Sequence, residues 1–247
     1  MMGFYEQISS YYDYIFPTGT QQLEFIKTAA GLPPKSVLDV ACGSGGYSVA
    51  LAKAGYSVTA VDLDEKMIAM TLEKERQEHL GINALACNML DISRSFGTGA
   101  FDLIFCIGNS IVHLGSKTDI LDALKQMRFC LKPGGALIIQ IINFDRVFKH
   151  NITSLPTITN DEIGLKFVRN YSYDDKSGLI KFNTLLTVNG SGDKEEYVNS
   201  VELLPLLSSD LKELMDKAGF KDISFYGDFE YSKYDEDSYM LVVKGAA

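Results

Sequence analysis

The sequence predicts an α/β fold: a mostly parallel sheet of seven strands with helices on both faces, an antiparallel final strand, and an antiparallel β insertion after the fifth strand. Three observations support this prediction. Between residues 36 and 143, short apolar runs alternate with helical patterns. Between residues 165 and 206, strand patterns follow one another with no helix between them. The chain has 247 residues, 46% of them hydrophobic, which is enough for one large domain with its own core.

Five apolar runs supply the parallel part of the predicted sheet. Strands buried on both faces are nearly continuous in apolar residues, and parallel strands need helices to connect them. The runs span residues 36–41, 56–62, 84–88, 101–108 and 135–143.

One connecting helix has clear ends. Ser116 is a suitable N-cap, and Asp119 occupies the capping-box position three residues later. Apolar residues then recur at helical spacing as far as Leu131. We expect the helix to stop before residues 132–135, Lys-Pro-Gly-Gly, a turn that leads into the fifth strand.

The insertion after the fifth strand is assigned to residues 148–206. Its strand-like segments are separated by turn-forming residues at 175–178 and 189–194, so we expect an antiparallel meander that covers the ligand site as a lid. An amphipathic helix at residues 208–218 and two closing strands follow. With no internal repeat or linker, residues 1–247 are predicted to form a single domain.

Composition restricts the partners and the compartment. The chain has 23 Lys and Arg against 32 Asp and Glu, a net charge of -9, which argues against binding to nucleic acid or to an anionic membrane surface. The N-terminus lacks the pattern of a secretory signal, and no apolar run is long enough for a membrane span. Four cysteines without CxxC spacing favour a reduced, cytoplasmic protein without a metal site. The sequence leaves the oligomeric state open.

A glycine-rich turn at residues 37–52 is the strongest functional signal. It joins a strand to a helix that begins near Gly45, and Asp62 ends the next strand 17 residues later. Glycines allow a ligand close approach to the helix N-terminus, and an acidic side chain at that strand end suits a pair of ribose hydroxyls. Dinucleotide sites use Gly-x-Gly-x-x-Gly, but Ser48 stands where the third glycine belongs.

The chain resembles the class I S-adenosylmethionine-dependent methyltransferases at several independent places. VLDVACGSG is similar to their first motif, VTAVDLDEKMI to their ribose-binding strand, and CNMLDI to their adenine-binding segment. FDLIFCIGNSIVHL and LKPGGALIIQ resemble their fourth and fifth strands. Ala41, the stretch GNSIVHL and the segment IINFDRV, in which Asn143 and Asp145 match, resemble the glycine/sarcosine N-methyltransferase branch. The resemblance implies a Rossmann-like transferase with S-adenosyl-L-methionine as cofactor and S-adenosyl-L-homocysteine as product.

The resemblance also implies the residues of the cofactor site. Asp39 would order the glycine turn, Asp62 would bind the ribose, and Asn88 would bind the adenine amino group. Ile107 would present its backbone at the end of the fourth strand, and Tyr14, or Tyr12 in its place, would close over the sulfonium. The complete predicted set is Tyr14, Asp39, Ala41, Gly43, Gly45, Asp62, Leu63, Met67, Asn88, Met89 and Ile107.

The acceptor is predicted to be a small molecule that takes the methyl group on an amine nitrogen by in-line displacement. The candidate acceptor-binding residues are Asn109, Asn143, Arg169 and Tyr171. No catalytic residue is assigned, because no His–Asp dyad, metal cluster or nucleophilic serine stands out. His113 belongs to the branch motif but is at least as often structural at such a position. Two alternatives remain open at this point: an NAD-dependent oxidoreductase, and a non-catalytic S-adenosylmethionine-binding regulatory protein.

Overall fold

The computed structural model describes residues 8–189 and 194–247 and contains two β-sheets with helices packed around the larger one. Its strands are β1 (Ser36–Val40), β2 (Ser57–Asp62), β3 (Asn83–Ala86), β4 (Phe101–Cys106), β5 (Leu131–Ile142), β6 (Ser154–Asn160), β7 (Leu165–Asp174), β8 (Leu179–Val188), β9 (Glu195–Leu203), β10 (Lys221–Tyr226) and β11 (Met240–Ala246). Its α-helices are α1 (Tyr12–Ile15), α2 (Thr20–Ala30), α3 (Gly46–Lys53), α4 (Glu65–Glu78), α5 (Ile92–Phe96), α6 (Lys117–Cys130), α7 (Phe144–Lys149) and α8 (Ser208–Ala218). Short 3-10 helices span Ser9–Tyr11 and Ile111–His113.

The larger sheet has seven strands in the order β10-β11-β5-β4-β1-β2-β3. The pairs from β5 through β3 are parallel, and β11 runs antiparallel to both β5 and β10. The predicted fold class, including the antiparallel final strand and the β insertion, is therefore confirmed. The chain reverses its order on either side of β1 and β4, and the crevice at that point is where open α/β sheets bind ligands.

Both faces of the larger sheet are buried, as the apolar runs predict. Adjacent residues on β1 and β4 point into opposite hydrophobic clusters: Leu38 and Ile104 enter one, while Val37 and Leu103 enter the other, and all four side chains are fully buried. Ser116 caps α6 by accepting a hydrogen bond from the Asp119 N–H at 3.1 Å. The apolar stripe of this helix, from Ile120 to Met127, is fully buried against the sheet.

The predicted turn at residues 132–135 is instead part of β5. This strand already pairs with β4 at Leu131, and the register shifts between that pair and the pairing of Leu103 with Ala136. The extra residues form a bulge, with Gly134 in the left-handed region at φ +76°. The glycines and proline therefore mark a bulge at the strand's start.

The insertion folds as an antiparallel four-stranded sheet in the order β6-β7-β8-β9. Three of these strands correspond to the predicted meander. The additional edge strand β6 contains Pro156, beside a register shift between Leu155 and Ile158, which is where proline is tolerated in a sheet. Of the predicted turn at 189–194, residues 190–193 lie outside the described residues. Within the described ranges, no helix has the length and apolar character needed to cross a membrane.

Candidate active site

A cavity of about 710 Å³ opens at the carboxyl ends of β1, β2 and β4. Its volume lies in the range usual for small-molecule sites. The elements that reach it are the glycine turn after β1, the segments after β2, β3 and β4, and residues around α1. Nine residues of the predicted cofactor set line it: Asp39, Ala41, Gly43, Asp62, Leu63, Met67, Asn88, Met89 and Ile107.

The glycine turn is held in a left-handed conformation. Gly43 has φ +55° and Gly45 has φ +79°, and Ala41 shares this region at φ +60°. The Asp62 carboxylate accepts a hydrogen bond from the Gly43 N–H at 2.8 Å, which ties the turn to the end of β2. A Cβ on Gly43 would lie 2.5 Å from the Tyr12 hydroxyl, so this position has no room for a larger residue. Asp62 therefore shapes the turn in addition to lining the cavity.

The carboxyl groups of Asp39 and Asp62 lie close enough for the charge of Asp62 to affect the ionisation of Asp39. Burial, together with the smaller effect of the Asp62 charge, raises the pKa of Asp39 to about 7, although a hydrogen bond from Ser48 at 2.7 Å acts to lower it. Burial also raises the pKa of Asp62, against hydrogen bonds from the Asp64 and Gly43 N–H groups. The cavity wall is thus poor in solvent and rich in oxygen acceptors, which suits a ligand that carries positive charge and hydroxyl groups.

The segments after β2 and β3 supply an apolar slot with polar ends. Leu63 is 73% exposed at the mouth, whereas Met67 is fully buried and faces the cavity from α4. The Asn88 side-chain oxygen accepts a hydrogen bond from the Leu90 N–H at 3.0 Å, which orients the amide beside Met89. A flat heterocycle between methionine and leucine side chains, with an amide at its edge, fits this arrangement.

The end of β4 is fixed by a residue that the sequence did not reveal. The Gln140 side chain, which lines the cavity from β5, accepts a hydrogen bond from the Gly108 N–H at 2.7 Å. Ile107 therefore meets the cavity in a defined backbone position. Ser110 and His113 from the following segment also line the wall. Gln140 interrupts an otherwise apolar strand, and that interruption was the available signal.

The N-terminal segment closes the cavity, but through Tyr12 and not through Tyr14. Tyr12, Phe16, Pro17 and Thr18 line the wall, whereas Tyr14 is 48% exposed and lies outside it. Tyr12 and Tyr14 are two residues apart, which places their side chains on different sides of the short helix α1.

Asp13 connects the N-terminal segment to the glycine turn. Its carboxylate accepts hydrogen bonds from the Ser44 hydroxyl and, at 2.8 Å, from the Lys74 ammonium group. Lys74 also donates to the Ser44 carbonyl at 3.0 Å. Gly45 does not line the cavity: it precedes α3 in a left-handed conformation, and a Cβ there would lie 2.5 Å from the Thr71 hydroxyl. Its role is to shape the turn.

The predicted acceptor residues after β4 and β5 lie outside the cavity lining. The Asn109 side-chain oxygen accepts a hydrogen bond from the Ile142 N–H at 3.0 Å, which joins the ends of the two strands. Asn143 is fully buried and caps α7 by accepting from the Asp145 N–H at 3.1 Å. Its amide group donates to the Ser238 carbonyl at 2.8 Å. The structure therefore gives both asparagines backbone partners, which explains why neither reaches into the cavity.

Arg169 and Tyr171 lie on one face of β7, turned toward the larger sheet. Arg169 donates a hydrogen bond to the Pro156 carbonyl at 2.7 Å. Tyr171 is buried between Phe144 and Phe182, with ring centroids 6.4 and 5.6 Å away. Neither residue lines the cofactor-sized cavity. Within the described ranges, no three potential metal ligands cluster.

Comparisons with known proteins agree with this geometry. A family profile described as "Methyltransferase domain" matches residues 37–135. The glycine/sarcosine N-methyltransferase of Aphanothece halophytica is 29% identical over 222 residues, which cover 89% of this chain and 80% of that protein. The solved structure of an S-adenosylmethionine-dependent methyltransferase from Clostridium acetobutylicum ATCC 824 superposes with a TM-score of 0.81 at 17% identity, over 99% of both chains. The structure of S-adenosylmethionine-bound CalS10, an amino pentose methyltransferase from Micromonospora echinaspora, gives 0.70 at 16% identity, over 99% of both chains.

The fold, the lining of the cavity and these similarities define an S-adenosylmethionine-dependent methyltransferase of class I, with S-adenosylmethionine as its cofactor. The glycine/sarcosine N-methyltransferases of the predicted branch are 27–29% identical to this chain. The predicted family, enzyme class and cofactor are confirmed, and the NAD-dependent and non-catalytic alternatives are set aside.

Proposed function

We propose that this enzyme transfers the methyl group of S-adenosylmethionine to the nitrogen of a small amine. One observation carries the proposal: the segment GNSIVHL, which most resembles the glycine/sarcosine N-methyltransferase branch, forms the cavity wall beside Ile107. Gly108, Ser110, His113 and Leu114 of this segment all line the cavity. The names of the sequence relatives support nitrogen as the methylated atom.

The cofactor-binding roles follow from where the side chains lie. Asp62 keeps acceptor capacity for the ribose hydroxyls at the end of β2, and Asn88 stands where the adenine edge would be read. Leu63, Met67 and Met89 would enclose the adenine, and Ala41 and Gly43 would face the methionine moiety. Tyr12 takes the place that was predicted for Tyr14 over the reacting end. The cavity is lined by both oxygen acceptors and apolar side chains, which supports its use as the cofactor site.

For methyl transfer, the protein chiefly has to align the amine with the methyl group and exclude water from the site. Bound S-adenosylmethionine supplies an electrophilic methyl group on a sulfonium. A neutral amine attacks through its lone pair, so a C–N bond forms as the C–S bond breaks, and the new ammonium group then loses a proton. Burial lowers the pKa of His113, which keeps its imidazole neutral near pH 7. A neutral imidazole in the wall imposes no charge repulsion on an incoming amine.

The remaining assignments are proposals of the same kind. We propose that residues 148–206 form a lid on the acceptor side and that Arg169 and Tyr171 contact the acceptor. Asn109 and Asn143 would act indirectly, by fixing the backbone around it. The net charge of -9 supports a small-molecule partner over nucleic acid. The free thiols of all four cysteines suit the reducing cytoplasm.

Transfer of labelled methyl groups from S-adenosylmethionine to a panel of amines tests the function. We expect at least one small primary or secondary amine, with glycine and sarcosine included, to be methylated at nitrogen. Asp62→Asn should abolish cofactor binding and turnover together, whereas Asp122→Asn, an exposed change on α6, should alter neither. Methylation confined to hydroxyl or carbon acceptors would overturn the assignment of nitrogen.

A further inference from the structure

Three buried side-chain atoms have no hydrogen-bond partner among the described residues: Arg128 Nε, Arg169 Nε and the Tyr171 hydroxyl. Two of the three belong to alternate residues of β7 and therefore lie on the same face of the strand. A buried polar group without a partner is costly, so such a pair indicates a missing ligand. The Arg169 Nε–H can only donate a hydrogen bond and the Tyr171 hydroxyl is able to donate one, so a ligand with acceptor atoms satisfies both groups.

Tyr239 and Arg146 complete the cluster from the other side. Burial lowers the pKa of Arg169, and interactions with Tyr239 and Tyr171 oppose that lowering, which places the three side chains together. The Arg146 guanidinium lies over the Tyr239 ring, 5.6 Å from its centroid. Two guanidinium groups thus share one tyrosine. We call Arg146, Arg169, Tyr171 and Tyr239 the arginine cluster.

No carboxylate in the described part of the chain pairs with either arginine of this cluster. The acidic residues nearest in sequence are engaged elsewhere. Asp145 accepts from the Ser208 N–H at 2.8 Å and from the Tyr234 hydroxyl at 2.9 Å. Asp237 pairs with Lys149 at 3.1 Å. The cluster therefore holds two guanidinium groups that have no ion pair among the described residues.

The arginine cluster adjoins the cofactor cavity without being part of it. Tyr239 directly precedes Met240, which lines the cavity. On the other side, Phe167 stands two residues before Arg169 on the same face of β7, and its ring meets Phe16 of the cavity wall edge-on at 6.0 Å. A molecule held by the cluster would thus lie beside the cavity, with its other end free to enter it.

We propose that the arginine cluster binds the acid end of the methyl acceptor and that the acceptor is an amine carrying a dianionic group, either a phosphate or two carboxylates. Guanidinium groups bind such oxygens in bidentate fashion, and two of them match two negative charges. The Tyr171 hydroxyl would donate to a further oxygen. This inference rests on the proposed function, because it takes the ligand to be the acceptor.

Binding to the protein loaded with S-adenosylhomocysteine tests the proposal separately from turnover. The probes are phosphoethanolamine for the phosphate source and aspartate for the dicarboxylate source, compared with ethanolamine and glycine. By calorimetry, we expect one dianionic probe to bind at least tenfold more tightly than both reference amines. Equal affinity for the dianionic probes and the two reference amines would overturn the inference.

Substitutions locate the binding. Arg146→Met and Arg169→Met should each weaken the preferred dianionic probe at least tenfold and leave ethanolamine unchanged, and Arg146→Lys should recover part of the loss. Arg94→Met is the matched control, because that side chain is 83% exposed and pairs with Asp91 on α5. Wild-type affinity in both cluster variants would refute the proposal.

One variant keeps the test independent of folding. Tyr171→Phe removes only an unpartnered hydroxyl, so we expect it to keep its melting temperature while the dianionic probe binds several-fold more weakly. The methylation assay distinguishes a failure of the inference about the acid end from a failure of the proposed function. If neutral amines are methylated with no preference for dianionic ones, the inference about the acid end fails alone. If no amine is methylated although the dianionic probe binds at the cluster, the proposed function fails.

Discussion

Replacement of Asp39 by Asn tests the electrostatics of the cofactor cavity. Asp39 is almost fully buried near the end of β1, where the Ser48 hydroxyl donates a hydrogen bond to it at 2.7 Å. Burial raises its pKa to about 7 from the ordinary 3.8, a difference that corresponds to about 4 kcal/mol. This free energy is the cost of ionising the group inside the folded protein.

Because folding raises the pKa of Asp39, the contribution of this residue to stability decreases as pH rises. Between pH 4 and 7 the folded protein keeps a proton that the unfolded chain has lost, so the free energy of unfolding decreases as pH rises through this window. The slope from this group is at most about 1.4 kcal/mol per pH unit, and it disappears above pH 7. In Asp39→Asn the decrease from this position is absent. At pH 8 the variant should be more stable than the wild type, by up to about 4 kcal/mol.

Cofactor binding should show the opposite preference. S-adenosylmethionine carries a sulfonium and an ammonium group, so a bound cation favours the ionised form of Asp39. Wild-type affinity should therefore rise as pH increases toward 7, with release of a proton on binding, and the variant should bind more weakly without this dependence. Calorimetry at pH 6 in two buffers of different ionisation enthalpy measures the released proton. Ser48→Ala, which removes the hydrogen bond that lowers the pKa, should shift the midpoint to higher pH. A wild-type affinity that is equal at pH 6 and pH 8 would refute the reasoning.

Three further predictions concern the surroundings of the cavity. Gly43→Ala should destabilise the fold by about 1–3 kcal/mol and weaken cofactor binding, measured by urea unfolding and calorimetry, because its φ is +55° and its Cβ would meet Tyr12. Lys74→Met should speed cofactor dissociation by up to about fivefold in stopped-flow measurements with little change in melting temperature, because its pair with half-exposed Asp13 is worth at most about 1 kcal/mol. Although burial opposes it, hydrogen bonds from lysine and backbone donors lower the pKa of Asp102 to about 2. Asp102→Asn should therefore unfold more readily than the wild type at pH 7, and the difference should shrink as pH falls from 4 to 2.

The larger sheet was predictable because its constraints are local. Strands buried on both faces must be apolar throughout, and the helices between them carry caps such as Ser116. The edge strand β6 was not predictable, since Pro156 interrupts its pattern and the strand depends on pairing with β7. The sequence predicts a turn where Gly134 forms a bulge, because turns and bulges use the same residue types.

The residues of the candidate site likewise include some that the sequence places correctly and some that it does not. Residues fixed by a strand end, such as Asp39 and Asp62, can be placed from the strand pattern, and both line the cavity. The choice between Tyr12 and Tyr14 depends on how a four-residue helix packs, which its sequence does not determine. Asn143 matched a family segment, but its position at the start of α7 uses its side chain as a cap.

The cofactor site and the proposed acceptor site depend on different kinds of residues, which explains why the sequence predicts the cofactor but leaves the acceptor undetermined. The proposed cofactor site uses backbone geometry at Gly43 and the Asp62 carboxylate, which also holds the turn, so the same few residues would serve any acceptor. The arginine cluster combines Arg146 on α7 and Tyr239, just before β11, with Arg169 and Tyr171 on strand β7 of the insertion. Arg146 and Arg169 are therefore free to change with the acceptor without loss of the cofactor site, and the specificity of this enzyme should be sought in them.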